Sequence, residues 1–324
     1  MSLSTLFQRT QKIHHPYPLR KRVRNKIHMN FLNFLLHSEV SNVNFQKMTT
    51  FQAIIYGIIH GFTEFLPVSA NAHRLLLPYF LGWPEPSGPI AGALALGTLM
   101  SVLIFFRHDW LSMLSCFLQV LIYRKKPMTL DERLPIFLVL TTIPTAFLWH
   151  SAQSSLFLNE WTNPIWILSG LIFFSIPLWL LESFNKRNKS MFNWNWLDCL
   201  IVGITQATQF FPGSGSVDGG LIGAFFRNYN REAAVKYVFL STAPFLATKA
   251  IIELRQINFH ASSPTYDVSW LSFSAALLMA TLTGLLTIGG FTKQLQRKGV
   301  GQYIAYRLLL AIAVGATYWF RQKS

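Results

Sequence analysis

The sequence predicts an all-α polytopic membrane protein, built as an inverted repeat with about six spanning helices and two re-entrant helical hairpins. Three observations predict it. The 324 residues are 51% hydrophobic and 13% charged, with a mean hydropathy of +0.33, too little polar surface for a soluble globule of this size. Apolar stretches of about 20 residues, the length that crosses a bilayer, recur along the chain. Finally, Thr63-Glu64-Phe65-Leu66-Pro67-Val68-Ser69 returns as Thr208-Gln209-Phe210-Phe211-Pro212-Gly213-Ser214, with Thr, Phe, Pro and Ser in register. Two interrupted apolar segments at corresponding places mark a duplicated membrane protein whose binding site lies between the repeats.

Residues 1–47 stand apart as a basic N-terminal extension: Arg9, Lys12, Arg20, Lys21, Arg22, Arg24, Lys26 and Lys47 face the single acid Glu39. Its apolar run, Phe31 to Leu36, is shorter than a signal-peptide core, and no small-residue cleavage site follows. A disordered tail, or a true start at Met29 or Met48, is expected over a basic arm on the membrane surface. Residues 48–324 are expected to form one membrane-embedded domain, its first repeat at about 51–182 and its second at about 197–320.

The apolar segments fall at about 89–106, 134–150, 163–182, 233–253, 269–291 and 302–320. Stretches 51–82 and 197–226 are broken by Pro67 and by Pro212-Gly213-Ser214-Gly215. Irregular backbone at membrane depth survives only where protein or a wet cavity satisfies its amides, so both read as hairpins. Residues 110–123 are short and bounded by Arg107 and Arg124-Lys125-Lys126, which suits an interfacial helix.

A net charge of +15 would suggest nucleic acid in a soluble protein. Here the basic residues sit in short clusters between apolar segments, so the expected partners are anionic head groups or an anionic substrate, with no nucleic acid. The clusters Arg124 to Arg133, Lys186-Arg187-Lys189, Arg227 to Lys236 and Lys293 to Lys298 belong inside, and the loop 151–162, which has no Lys or Arg, belongs outside. The hairpin near Pro212 then enters from the inner face and the one near Pro67 from the outer face. Cys116 and Cys199 lie in or beside apolar stretches and make no disulfide framework.

The candidate site lies in the two breaks. An ionisable group in hydrocarbon costs about 2.5 kcal/mol or more on insertion scales, so such residues mark cavities or chemistry. His60 and Glu64 are one helical turn apart and share a face. The break after Pro67 presents Ser69 and His73. The second break supplies Ser214, Gly215 and Ser216 with amides freed by glycine, a nest that favours an anion. Asp218 is either a cap of the helix beginning near Gly219 or a site acid. A carboxylate, imidazoles, hydroxyls and an amide nest suit a phosphate ester on a lipid, with Glu64 holding a divalent cation or acting as base and His73 as nucleophile or proton shuttle.

At these residues the chain resembles the bacterial undecaprenyl-diphosphate phosphatases, also known as bacitracin-resistance proteins. The resemblance covers about residues 50–320 and is anchored by Thr63 to Ser69 with His73, by Gln206 and Pro212-Gly213, and by Arg231-x-Ala233-Ala234 with Pro244. The family signature is E-x-x-x-E-F-L-P-[VI]-S-S-x-x-H, followed later by P-G-x-S-R-S-x-x-T. The resemblance implies a multi-pass enzyme of the bacterial inner membrane that removes the terminal phosphate of undecaprenyl diphosphate at the outer face. It also implies help from a divalent cation, Mg²⁺ or Ca²⁺, with Glu64 and His60 at its site, and a role in recycling the lipid carrier for cell-wall synthesis. Bacitracin resistance follows, because bacitracin sequesters that substrate. A second copy of the chain is a further expected partner.

The chain also departs from the signature. His60 stands at the first acid, Ala70 at the second serine and Ser216 at the arginine, with Gly215, Val217 and Gly220 at the flanking serines and threonine. A bidentate arginine contact to a phosphate is not replaced by a hydroxyl, and losing such a charge clamp costs about a hundredfold or more in rate. Arg74 is the candidate replacement, with Arg227 further along the next helix. Two readings stand: a divergent phosphatase using Glu64, His60, His73 and Ser69, or a membrane protein that binds or translocates polyprenyl phosphates without turnover.

Overall fold

The computed structural model describes residues 48–86, 88–153, 163–255 and 269–323, and these are α-helical apart from short connections. The basic extension 1–47, and most of the loop expected at 151–162, lie outside the described residues. The helices are α1 Thr50–Phe65, α2 Ala70–Leu81, α3 Gly88–Phe105, α4 Arg107–Tyr123, α5 Leu130–Gln153, α6 Pro164–Phe184, α7 Trp196–Gln206, α8 Ser216–Phe226, α9 Arg231–Leu254, α10 Trp270–Lys298 and α11 Gly301–Lys323.

Among the described residues five helices, α3, α6, α9, α10 and α11, are long and apolar enough to cross a membrane. The chain is therefore a multi-pass membrane protein. The remaining expected span, 134–150, lies inside the 24-residue α5, whose first turn carries Asp131 and Glu132. Helix α10 runs to Lys298, seven residues beyond the expected apolar stretch, because Lys293 to Lys298 continue the helix at its basic end. The outer faces are apolar: Leu286 is 70% exposed, Ile312 68% and Phe173 64%. Such a belt is stable only against lipid.

Lipid removes the hydrophobic drive that packs helices in water, so close backbone approach through small residues takes its place. Helix α1 packs on α10 in this way. A Cβ on Gly61 would stand 2.0 Å from Thr283 Oγ1 and 2.6 Å from the Ala280 carbonyl oxygen. Helices α3 and α10 share hydrogen bonds, Ser101 Oγ donating to Thr281 O at 2.9 Å and Thr281 Oγ1 to Gly97 O at 3.2 Å. The main hydrophobic core also holds Trp194, Tyr229 and Tyr237, the Trp194 ring stacking on the two tyrosines at 3.8 and 3.7 Å.

One end of the bundle carries a layer of paired charges. Asp198 is held by Arg227, by Lys189 at 3.0 Å and by the Tyr229 hydroxyl at 2.6 Å. Glu182 takes Arg231 and, at 3.2 Å, Arg187. Lys125 meets Glu132 at 2.7 Å, and Lys236 meets Asp109. These are the clusters placed inside by charge counting, and many of their cations are neutralised within the fold.

Both expected hairpins are helix, break and helix, for one shared reason. A residue preceding proline is driven from the helical to the extended region. Leu66, before Pro67, has φ −103° and ψ 146° and ends α1. Phe211, before Pro212, has φ −79° and ψ 137° and ends a 3₁₀ turn, Ala207–Phe210, that follows α7. Each break then needs one left-handed residue: Gly213 with φ 80° in the second and Ser69 with φ 70° in the first. A positive φ is free for glycine but costs a serine about 1 to 3 kcal/mol unless its surroundings hold it. What holds Ser69 is the other hairpin.

Candidate functional site

The two breaks touch. Ser69 Oγ donates to the Ser214 carbonyl at 2.7 Å and accepts from the Ala72 amide at 3.1 Å, capping α2. Asn71 reaches Gln209 O at 3.5 Å. A Cβ on Gly215 would lie 3.3 Å from Ser69 Cα. The left-handed serine is thus fixed by contacts across 145 positions of sequence, and its φ reflects that docking.

The second break is seated from behind by α6. A Cβ on Gly170 would fall 1.8 Å from the Pro212 carbonyl oxygen, so only glycine lets the turn approach. Gly170→Ala is expected to destabilise the protein by about 1 to 3 kcal/mol, the usual range for overpacking, and to lower turnover by displacing Ser214 to Ser216. Thermal unfolding in detergent, together with phosphate release, measures both effects.

Glu64 and His60 lie near the end of α1, buried at 9% and 7% exposure. His60 Nε2 stands 3.9 Å from Glu64 Oε2, which puts them on one face as their spacing predicts. His60 Nε2 is buried with no hydrogen-bond partner among the described residues. The Glu64 carboxylate accepts no hydrogen bond from any described residue.

His73, on the first turns of α2, is held at both ring nitrogens. Its Nδ1 lies 2.8 Å from the Ser69 carbonyl oxygen, and a carbonyl only accepts, so Nδ1 carries the hydrogen. Nε2 then offers its lone pair to the Tyr306 hydroxyl at 2.7 Å, and the two rings stack at 5.8 Å and 6°. In the neutral form this tautomer presents Nε2 as the basic nitrogen, the one a general base or nucleophile uses. Tyr306→Phe keeps the stack and removes the hydroxyl. The loss of one orienting hydrogen bond is expected to lower kcat by about three- to tenfold with little change in KM, as steady-state phosphate release will show.

Asp218 is not the cap of the helix that follows the second break. Helix α8 begins at Ser216 with Gly215 as its cap, and Asp218, fully buried in its first turn, is the counter-ion of Arg307 on α11. Arg307 is itself fully buried; it also donates to Gly213 O at 2.7 Å and Ser175 Oγ at 2.8 Å. It ties α6, the second break, α8 and α11 together. Asp218 is near enough to act electrostatically on Glu64 and His73, and Arg307 on His73. Sequence reasoning passed over Tyr306 and Arg307, although a charged residue within an apolar span is the same signal that singled out Glu64.

The other expected site residues distribute as follows. Ser214 and Ser216 are buried in the second break, Ser214 Oγ sharing a hydrogen bond of 2.9 Å with Thr208 Oγ1. Arg74 pairs with Glu85 at 3.0 Å and with Asn71 at 3.2 Å, and is 36% exposed at the side chain. Arg227 caps the far end of α8 and is bound to Asp198.

The donor set for a metal is small. Among the described residues no group of three or more His, Cys, Asp or Glu is arranged to hold a metal ion, and the nearby acid Asp218 pairs with Arg307 through Oδ2, its Oδ1 having no hydrogen-bond partner among the described residues. Glu64 and His60 therefore fit a hard cation only if most of its ligands are phosphate oxygens and water, the usual condition for Mg²⁺ on a diphosphate.

Known proteins with this pattern agree. The profile of the family described as bacitracin resistance protein BacA matches residues 53–313. The chain is 31% identical over 278 residues to an undecaprenyl-diphosphatase of Moorella thermoacetica, covering 85% of this chain and 100% of that protein. It is 32% identical over 276 residues to one of Chlorobaculum tepidum, covering 82% and 96%. A Myxococcus xanthus undecaprenyl-diphosphatase is 27% identical over 266 residues, covering 82% and 88%. With a match running from the first hairpin to the last helix, the chain belongs to the bacitracin resistance protein BacA family.

Proposed function

We propose that the protein hydrolyses undecaprenyl diphosphate to undecaprenyl phosphate in the bacterial inner membrane, which recycles the lipid carrier for cell-wall synthesis and confers bacitracin resistance. The observation that carries this reading is the docking of the two breaks through Ser69 and Ser214, together with the buried Glu64 carboxylate, which accepts no hydrogen bond from the described residues, and an imidazole held at both nitrogens. The relatives' shared activity supports it. In this reading the amides and hydroxyls of Ser214, Gly215 and Ser216 receive the terminal phosphate at the start of α8, where the helix dipole favours an anion. His73 Nε2 attacks the terminal phosphorus as its bond to the bridging oxygen breaks and undecaprenyl phosphate leaves; water, giving its proton to Glu64, then attacks the phosphorus and releases inorganic phosphate and the free imidazole. A divalent cation carried on the diphosphate would be held by Glu64 and His60 and would neutralise the phosphoryl oxygens. Arg74, half-exposed at the rim, steers the anion inward. The first hairpin opens to the outer face, the second to the inner face, and a homodimer is the proposed assembly.

Ser216 at the signature arginine favours a second reading, a lipid-phosphate binder or translocator without turnover. Bacitracin separates the two in cells. Expression in a strain depleted of its own undecaprenyl-diphosphate phosphatases restores growth and raises bacitracin tolerance if the chain is the enzyme, and does neither if it only binds.

A further inference from the structure

One acceptor is left over where the two breaks meet. Asp218 is fully buried and pairs with Arg307 through Oδ2. Its other oxygen, Oδ1, is buried and has no hydrogen-bond partner among the described residues. Gly215 shows where that oxygen points: a Cβ built there would stand 2.9 Å from Oδ1 and 3.3 Å from Ser69 Cα. Oδ1 therefore faces the seam between the first hairpin and the second, and the bare face of Gly215 leaves it open.

The same end of α8 carries donors in the same condition. The first amides of a helix have no partner within it, and the cap residue Gly215 has no side chain to offer them one. Ser214, Gly215 and Ser216 around them are buried. A ligand that satisfies this place must accept hydrogen bonds and also donate one. A bare metal ion fails, because amide N–H groups repel a cation, and among the described residues no three His, Cys, Asp or Glu are grouped to hold one. A fully ionised oxyanion fails too, because it sets only acceptors against a carboxylate that also only accepts. A phosphoryl group that keeps one hydrogen has both halves: P–O oxygens for the amides and a P–OH for Oδ1, a charge-assisted bond of the strong kind.

We propose, on the phosphatase reading, that Asp218 is a substrate-binding residue whose Oδ1 accepts the hydrogen of the terminal phosphate, so that the second break selects a protonated phosphoryl group. The break brings no cation of its own, since Ser214, Gly215, Ser216 and Val217 are all neutral. Arg307 is occupied in holding the carboxylate by Oδ2 and the Gly213 carbonyl. A proton retained on the phosphate lowers its charge at the place where no side chain does.

The test is inhibition of the purified full chain by two tetrahedral anions, with undecaprenyl phosphate formed from undecaprenyl diphosphate followed by chromatography. At neutral pH inorganic phosphate carries hydrogen and sulfate carries none. Phosphate is expected to inhibit about tenfold or more as strongly as sulfate, the scale of one hydrogen bond to a charged group. In Asp218→Asn the amide oxygen stays on Arg307 and an N–H replaces the free acceptor, so sulfate is expected to inhibit within about threefold of phosphate. A weakened fold does not produce that gain for sulfate, and the ratio is read within one preparation. Gly215→Ala, in an extended conformation open to alanine, sets a methyl group against Oδ1 and is expected to bring the two anions level. Equal inhibition of wild type by both anions overturns the proposal, as does a wild-type ratio kept in Asp218→Asn or, where that variant does not fold, in Gly215→Ala. Wild type that forms no undecaprenyl phosphate overturns the phosphatase reading instead. Equilibrium dialysis of inorganic phosphate with sulfate as competitor then decides the carboxylate: preference for phosphate upholds it and parity overturns it.

Discussion

Glu64→Gln is expected to reduce phosphate release from undecaprenyl diphosphate by about a thousandfold, within the range lost when a positioned acid or base is removed. The substitution changes shape very little. It removes the negative charge from a carboxylate that is 9% exposed and accepts no hydrogen bond from the described residues. A buried, unsatisfied carboxylate weakens the fold if anything, so the unfolding temperature of Glu64→Gln should match or exceed that of wild type. Rate collapse with stability retained is the signature of a residue kept for chemistry. Collapse of both would instead make Glu64 a packing residue.

Arg307→Met should show the opposite pattern. Its guanidinium pairs with Asp218 Oδ2, donates to the Gly213 carbonyl and bonds Ser175, all in a fully buried setting. Removing one partner of a buried pair leaves the other charge uncompensated, at a cost of about 3 to 5 kcal/mol. The second break also loses its tether to α6 and α11. We expect a large fall in unfolding temperature, with activity lost alongside it. Asp218→Asn in the same background relieves the stranded carboxylate and should recover part of the stability. Detergent-phase thermal unfolding of both variants checks this; an unchanged unfolding temperature in Arg307→Met would show that the pair carries no structural load.

These two residues illustrate what the sequence discloses. Glu64 was legible because a repeat brackets it: Thr, Phe, Pro and Ser recur in register at 63–69 and 208–214, and proline ends a helix by a local steric rule that the structure repeats at Leu66 and Phe211. Helix positions were legible for the same reason, since apolar length is a one-dimensional signal. Arg307 carried the signal of a charge within an apolar span, but its partners, like that of Tyr306, are set by tertiary contact. Arg307 acts on Asp218 across 89 positions and Tyr306 on His73 across 233, distances at which spacing carries no information. The role of Asp218 turned on the same contact. The left-handed Ser69 was equally hidden, because its strain is held by Ser214 rather than by its own segment.

The account depends on two broken helices closing around one phosphate site that turns substrate over. Phosphate release from undecaprenyl diphosphate by the purified wild-type chain, alongside Glu64→Gln and His73→Ala, tests that most directly. The account predicts release by wild type and near-complete loss in both variants, whose residues come from the two sides of the Pro67 break. Release that persists undiminished in either variant, or substrate bound by wild type and never hydrolysed, would contradict it.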